Sequence, residues 1–324
     1  MSAGTVAVTG ANGFLGRAFV QLALAHGFRV VALVRSDAAK RTIAPDADTL
    51  IVDLAQPDAV ARALRGCTAI VHAAGGGRMR TLDDVYRANL HTTDVLSAAI
   101  PSADTRFVFI SSVAAVGAGA ADPAQLPDAS SAPRPVSHYG RSKEQAEQLV
   151  HQRCNGISLR LPALHGPGDD RLLPLFRAAS RGVMPVVRPD LVSGLLSVHD
   201  AAALILNAVQ SSAQGAYYAD DGNPITRRAF CHEIGRAIQA PRPPRIVTVP
   251  DAVMWTAGCV NELVARVTGR PVLLTRDKVA DLLHTTGHHD ASRTRTDLDW
   301  APGVPLLQSL EETANDFRRR GWLR

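Results

Sequence analysis

The segment GANGFLG, Gly10 to Gly16, constrains this chain more than any other. Its glycines at positions 10, 13 and 16 stand between a short apolar run, TVAVT, and a stretch apolar at helical spacing, Phe14 to His26. That order reads as strand, tight turn and helix. Glycine suits such a turn for three reasons: the turn is sharp, the backbone must approach a pyrophosphate, and the helix must pack closely on the sheet. The helix then offers free N–H groups and the positive end of its dipole to the phosphates. Asn12, Phe14 and Leu15 lie inside the same loop and share its expected cofactor role with Gly10, Gly13 and Gly16.

The pattern that follows repeats strand and helix. Apolar runs at 29–34, 49–54, 68–74, 106–112 and 156–162 read as strands, and 58–66, 82–100 and 139–152 as helices. The alternation predicts α/β architecture: a Rossmann-type doubly wound parallel sheet with a smaller C-terminal substrate lobe. Residues 1–160 are expected to form the dinucleotide-binding domain, with 195–210 returning to it, and 161–324 the smaller lobe. In the second half 172–182 and 224–238 read as helices and 215–222 as strand-like, while the proline-rich 240–250 breaks the chain.

Composition narrows the classes. The 324 residues are 46% hydrophobic, enough for a sizeable core, and no apolar run reaches the roughly 18 residues of a membrane span. The start of the chain lacks the pattern of a secretory signal, and Cys67, Cys154, Cys231 and Cys259 are scattered without a C-x-x-C pair. These features predict a cytoplasmic protein with reduced thiols and no structural metal. The net charge of +5 comes from dispersed arginines rather than a basic stripe, so nucleic acid is not an expected partner. Lysine occurs only at 40, 143 and 278, so a lysine four residues after a tyrosine is not readily put down to chance.

The second strand ends at Val34-Arg35-Ser36-Asp37. A guanidinium there matches a ribose 2′-phosphate, whereas a carboxylate would bind a free 2′-hydroxyl. Arg35, with Lys40 and Arg41 behind it, favours NADP(H) over NAD(H), although Asp37 falls about where an NAD-binding acid would. Asp53, followed by Leu54, is read either as a hydrogen-bond acceptor for an adenine amine or as a cap of its own loop. Ala73, Ala74 and Gly75 close the fourth strand with side chains small enough for a cofactor to approach the backbone.

Tyr139 and Lys143 in SHYGRSK lie four apart, hence on one helix face. A free phenol has a pKa of about 10, too high for acid–base work near neutrality, and a nearby ammonium is expected to lower it. Ser111 and Ser112 end the fifth strand and offer a hydroxyl to a substrate oxygen.

Together these motifs resemble the extended short-chain dehydrogenase/reductase family, in its epimerase/dehydratase-like part. The matching stretches are TGANGFLG (9–16), DL (53–54), HAAG (72–75), Asn89, SSVAAVG (111–117), YGRSK (139–143), LRLPALHGPGD (159–169), VHDAA (198–202) and DASRTRTDLDWAP (290–302), in the family's order. The resemblance implies that Ser112, Tyr139 and Lys143 are catalytic. It implies that Asn89 and the 160–168 stretch, with Pro162 and Ala163, lie by the nicotinamide. Arg78 and His165 are candidate substrate contacts; His165 stands where the family often has tyrosine, and a packed loop histidine is the other reading. The HTTGHHD stretch at 284–290 looks metal-like, but the resemblance places it in a structural turn. The strand end at Arg35 is similar to the dihydroflavonol-reductase and 3β-hydroxysteroid-dehydrogenase-like branch. The leading expectation is an NADPH-dependent reductase of a small-molecule carbonyl, reversible as an alcohol dehydrogenase. The alternatives are a nucleotide-sugar epimerase or dehydratase with bound NAD and, from another class, a nucleotide-sensing binding protein. The apolar 253–264 stretch would line a pocket or pack as an ordinary helix, and a homodimer through the 82–100 and 139–152 helices is expected by analogy.

Overall fold

The computed structural model describes residues 4–75, 81–117, 131–268, 272, 274–285 and 288–323. Its strands are β1 (Thr5–Thr9), β2 (Arg29–Val34), β3 (Asp48–Ile51), β4 (Ala69–His72), β5 (Arg106–Ser112), β6 (Asn155–Leu161), β7 (Ala163–His165), β8 (Val183–Val187), β9 (Val192–Ser193), β10 (Leu195–Ser197), β11 (Gly215–Tyr218), β12 (Ile225–Thr226) and β13 (Arg245–Val249). Its helices are α1 (Phe14–Ala25), α2 (Asp37–Lys40), α3 (Pro57–Ala63), α4 (Leu82–Tyr86), α5 (Thr92–Ala98), α6 (His138–Arg153), α7 (Leu173–Ser180), α8 (Val198–Gln210), α9 (Arg227–Ala237), α10 (Asp251–Thr268), α11 (Arg276–His284), α12 (Ser292–Asp297) and α13 (Leu306–Arg319).

Seven strands form one parallel sheet in the order β11-β6-β5-β4-β1-β2-β3. The direction of winding reverses between β1 and β4, and a ligand crevice opens beyond the carboxyl ends of strands at such a point. Neighbouring residues of β1 bury on opposite faces. Val6 and Val8 join a core with Phe19 and Val20 of α1 and Leu204 and Ile205 of α8. Ala7 joins a second core with Val60 of α3, Leu96 of α5 and Ala146 and Val150 of α6. Two covered faces explain why these strands read as unbroken apolar runs. The Rossmann-type, doubly wound α/β fold expected above is therefore present.

A third core gathers Phe176, Met184, Cys231, Ile234, Leu310 and Phe317, with the Phe176 and Phe317 rings edge to face at 5.2 Å. The proline-rich stretch does more than break the chain: its end, RIVTV, forms β13 parallel to β8. The β-branched residues between Pro244 and Pro250 suit an extended strand. On α10, Gly258 and Ala265 are buried, whereas Val253, Trp255, Val260, Leu263, Val264 and Val267 are exposed. No described helix is long and apolar enough to cross a membrane.

Candidate active site

The glycine loop sits at the point where the winding reverses. Gly10 has φ +67°, and a Cβ on it would fall 2.7 Å from the carbonyl carbon of Ala73 and from Ala74 N. The chain leaving β1 thus touches the chain leaving β4. A Cβ on Gly16 would fall 2.1 Å from the Gly10 carbonyl oxygen, so α1 cannot start where it does with any larger residue. Gly13 N donates to Gly10 O at 2.9 Å and closes the turn.

Tyr139 and Lys143 lie on the first turns of α6. The Ser112 hydroxyl, at the end of β5, accepts from Ala114 N at 3.2 Å, and its influence on Tyr139 favours the phenolate. Lys143 Nζ donates to the Ile110 carbonyl at 2.8 Å and lies 4.6 Å from the Phe109 ring centre. Burial pushes this lysine down to about 8, while the Glu147 carboxylate one turn on favours its charged form. For Tyr139 the outcome differs from expectation. Burial, then the Asp281 carboxylate, pushes the phenol up to about 12, while Ser112 and the Arg171 guanidinium pull it down. In the chain alone the loss of hydration outweighs nearby positive charge.

Asn89 and Gly75 complete the floor. Asn89 lies in a π-helical turn, Arg87–His91, that joins α4 to α5. Its Nδ2 donates to Ser142 Oγ at 2.9 Å, and that hydroxyl donates to the Tyr139 carbonyl at 2.8 Å. A Cβ on Gly75 would meet Asn89 Oδ1 at 2.4 Å and Lys143 Nζ at 3.4 Å. Asn89 Oδ1 and Ser111 Oγ are buried with no hydrogen-bond partner. Buried polar atoms are rarely left so. An orphaned Asn89 oxygen and the Lys143 Nζ, both close to Gly75, and the orphaned Ser111 hydroxyl at the end of β5 offer polar groups that suit the hydroxyls and amide of a nicotinamide nucleoside.

Beneath this floor runs a chain of hydrogen bonds. Thr93 Oγ1 donates to the Asn89 carbonyl, so it accepts from His72 Nε2 at 3.0 Å. His72 Nδ1 then accepts from Thr9 Oγ1 at 2.7 Å, and Thr9 Oγ1 accepts from Ala74 N at 3.1 Å. Burial, then the charge of Lys143, lowers His72 to about 3, so it is neutral in this network. The ends of β1 and β4 and the turn carrying Asn89 are tied together through one imidazole.

The other candidate residues are placed as follows. Arg35 is exposed directly after β2, and Asp37 starts α2 behind Ser36, whose Oγ accepts from Ala39 N at 3.3 Å. Asp53 Oδ1 accepts from Ala55 N at 3.0 Å, which is the loop-cap arrangement. Leu54 is buried in the core on the α3 side. Pro162 is buried and Ala163 exposed. His165 is buried beneath α13, with Nδ1 on Ser309 Oγ at 2.8 Å, and burial lowers it to about 4. Arg78 lies outside the described residues. His288 pairs with Asp220 at 3.1 Å and the His289 ring stacks on Tyr218 at 4.4 Å.

Sequence reasoning missed two groups near the site. Glu147 continues the row Tyr139, Lys143 along α6 and pairs with Arg160 of β6 at 2.7 Å, both nearly fully buried. The four-residue spacing after Lys143 could have flagged it. Asp277 of α11 accepts from the backbone N–H groups of His138 at 2.7 Å and Tyr139 at 3.1 Å. Nothing local announces that contact.

Comparison with known proteins gives the family and the fold. Residues 6–218 match the model of the NAD dependent epimerase/dehydratase family. The chain is 30% identical to a ceramide reductase of Caulobacter vibrioides, over 99% of this chain and 96% of that one. It is 28% identical to a 2-alkyl-3-oxoalkanoate reductase of Stenotrophomonas maltophilia, over 94% and 97%. The UDP-N-acetylglucosamine 4-epimerase structure from Bacillus cereus superposes with a TM-score of 0.72 at 20% identity, covering 96% of this chain and 98% of that one, and shares the fold. The glycine loop at the reversal of the sheet and these matches over the full length lead to one assignment: the chain belongs to the NAD-dependent epimerase/dehydratase family of extended short-chain dehydrogenase/reductases and is an NAD(P)-dependent oxidoreductase of that type.

Proposed function

We propose that the chain is an NADPH-dependent reductase that converts a ketone or aldehyde of a small or hydrophobic metabolite to the alcohol, with Ser112, Tyr139 and Lys143 as its catalytic residues. The observation that carries the reading is the likeness over nearly the whole chain to two reductases, on a fold that brings Tyr139 and Lys143 to one face of α6. In the chain alone burial keeps the Tyr139 phenol protonated at neutral pH, in the form that gives a proton to a carbonyl oxygen.

Gly10, Gly13 and Gly16 would hold the pyrophosphate of the cofactor against α1, and Arg35 its 2′-phosphate. Asn89, Ser111, Gly75 and Lys143 would hold the nicotinamide nucleoside. When bound, the reduced nicotinamide supplies a hydride to the carbonyl carbon. Ser112 donates a hydrogen bond to the carbonyl oxygen and stabilises the charge that grows there. Tyr139 delivers its proton to that oxygen, and Lys143 offers a positive charge to the phenolate left behind. Its depressed value near 8 lets Lys143 return a proton at neutral pH at little cost.

The test is oxidation of NADPH and of NADH by the purified chain with ketones and aldehydes, with and without a long alkyl chain. Carbonyl-dependent NADPH oxidation supports the reading. Tightly retained NAD and no net oxidation with any carbonyl would replace it with an epimerase or dehydratase.

A further inference from the structure

The start of α6 is held from far away in sequence. Ser137 Oγ accepts from Gly140 N at 2.9 Å, which satisfies one of the N–H groups left open at a helix start. The two before it belong to His138 and Tyr139, and both donate to the carboxylate of Asp277, one to each oxygen. A carboxylate at this position also meets the positive end of the α6 dipole. Asp277 itself is on the first turn of α11, whose opposite end is anchored. Arg227 Nη2 donates to the Leu282 carbonyl at 2.5 Å and Arg188 Nη1 to the Leu283 carbonyl. Val279 and Leu283 pack on Val187 of β8, and α10 closes on α11 at Gly258, where a Cβ would meet Arg276 N at 3.2 Å. The helix carrying the proposed proton donor is therefore fastened to a docked helix of the second half of the chain.

We propose that Asp277 is a positioning residue for Tyr139: its two-oxygen grip on the His138 and Tyr139 amides sets where the Tyr139 hydroxyl sits relative to Ser112. The inference rests on the assignment of Tyr139 as proton donor made above. Lys143 has its own anchor one turn further on, the Ile110 carbonyl. Releasing Asp277 therefore loosens the first turn of α6 at Tyr139, while the Lys143 anchor on Ile110 and the Ser142 link from the Tyr139 carbonyl to Asn89 remain. Loosening of this kind lowers turnover, because proton transfer needs the donor within hydrogen-bond reach of the reacting oxygen.

The experiment compares the full chain with its Asp277→Ala, Asp277→Asn and Asp277→Glu variants in two readouts. Without substrate, hydrogen exchange at the His138 and Tyr139 amides should speed up by about tenfold or more in Asp277→Ala, with exchange in the second half of α6 unchanged. With a carbonyl substrate, kcat should fall about 10- to 100-fold in Asp277→Ala, less in Asp277→Asn, and recover in part in Asp277→Glu, while the dissociation constant for NADPH stays within about twofold. Unchanged exchange at both amides in Asp277→Ala and Asp277→Asn overturns the proposal. So does a kcat within about twofold of the parent, or a loss of NADPH affinity as large as the loss of kcat, which would make Asp277 a support of the whole fold. If the parent chain reduces no carbonyl, the functional reading fails, and the exchange measurement alone decides the clamp.

Discussion

The two sides of the cleft are built by different means. On the β1 side the close approaches are between backbone segments: Gly10 against Ala73 and Ala74, and Gly16 against the Gly10 carbonyl. Space is saved there by removing side chains, and register comes from parallel strands paired from Thr9 to His72. On the α11 side a carboxylate reaches across 138 residues of sequence to the Tyr139 amide. Position there depends on single side chains in partly hydrated surroundings. The first wall should tolerate no added atoms and the second no lost ones.

The largest effect should come from cutting the buried pair behind the site. Arg160→Ala leaves Glu147 charged and enclosed, and should cost about 3–5 kcal/mol in a denaturation measurement. Arg29→Ala removes a partner of Asp48 from an ion pair whose side chains are 69% and 53% exposed, and should cost less than about 1 kcal/mol. Equal losses would mean that burial does not separate these pairs.

Next, on the backbone wall, Gly16→Ala should weaken NADPH about 100-fold or more, read by titration, equivalent to about 2.7 kcal/mol. Affinity within a few-fold of the parent would show that the loop can give way.

Arg35→Ala should weaken NADPH about tenfold and leave NADH nearly unchanged, compared by parallel titrations. A parent chain that already prefers NADH would transfer the adenosine ribose to Asp37.

The smallest effect is acid sensitivity. His72 and His165 are held at about 3 and about 4, below the ordinary 6.5. The unfolded chain takes up these protons first, so their contribution is complete above pH 6.5 and is lost as pH falls toward 4 and then 3. Between pH 7 and pH 6 each histidine should remove about 0.7 kcal/mol of unfolding free energy. His72→Gln on the backbone wall and His165→Gln under α13 should each take away about half of that dependence.

The backbone wall is the part that could be read from the chain. Glycine spacing, apolar strands and a tyrosine four residues before a lysine are local patterns, and each has one geometric solution. β5 and β2 have the bounds expected for them, 106–112 and 29–34. What escaped was set by distant partners. β13 needed β8 beside it to turn RIVTV into a strand. His72 was legible as the end of a strand, but not as the link between Thr9 and Thr93. Tyr139 illustrates the limit best. The sequence shows a lysine that would lower its pKa, and only the fold shows the burial and the Asp281 carboxylate that raise it.

The most direct test of the account is NADPH oxidation by the parent chain and by Tyr139→Phe with a ketone substrate, alongside the affinity of each for NADPH. The account predicts a fall in turnover of about 100- to 10,000-fold with NADPH affinity within about twofold. Turnover by Tyr139→Phe near the parent rate would contradict it, because another group would then be delivering the proton.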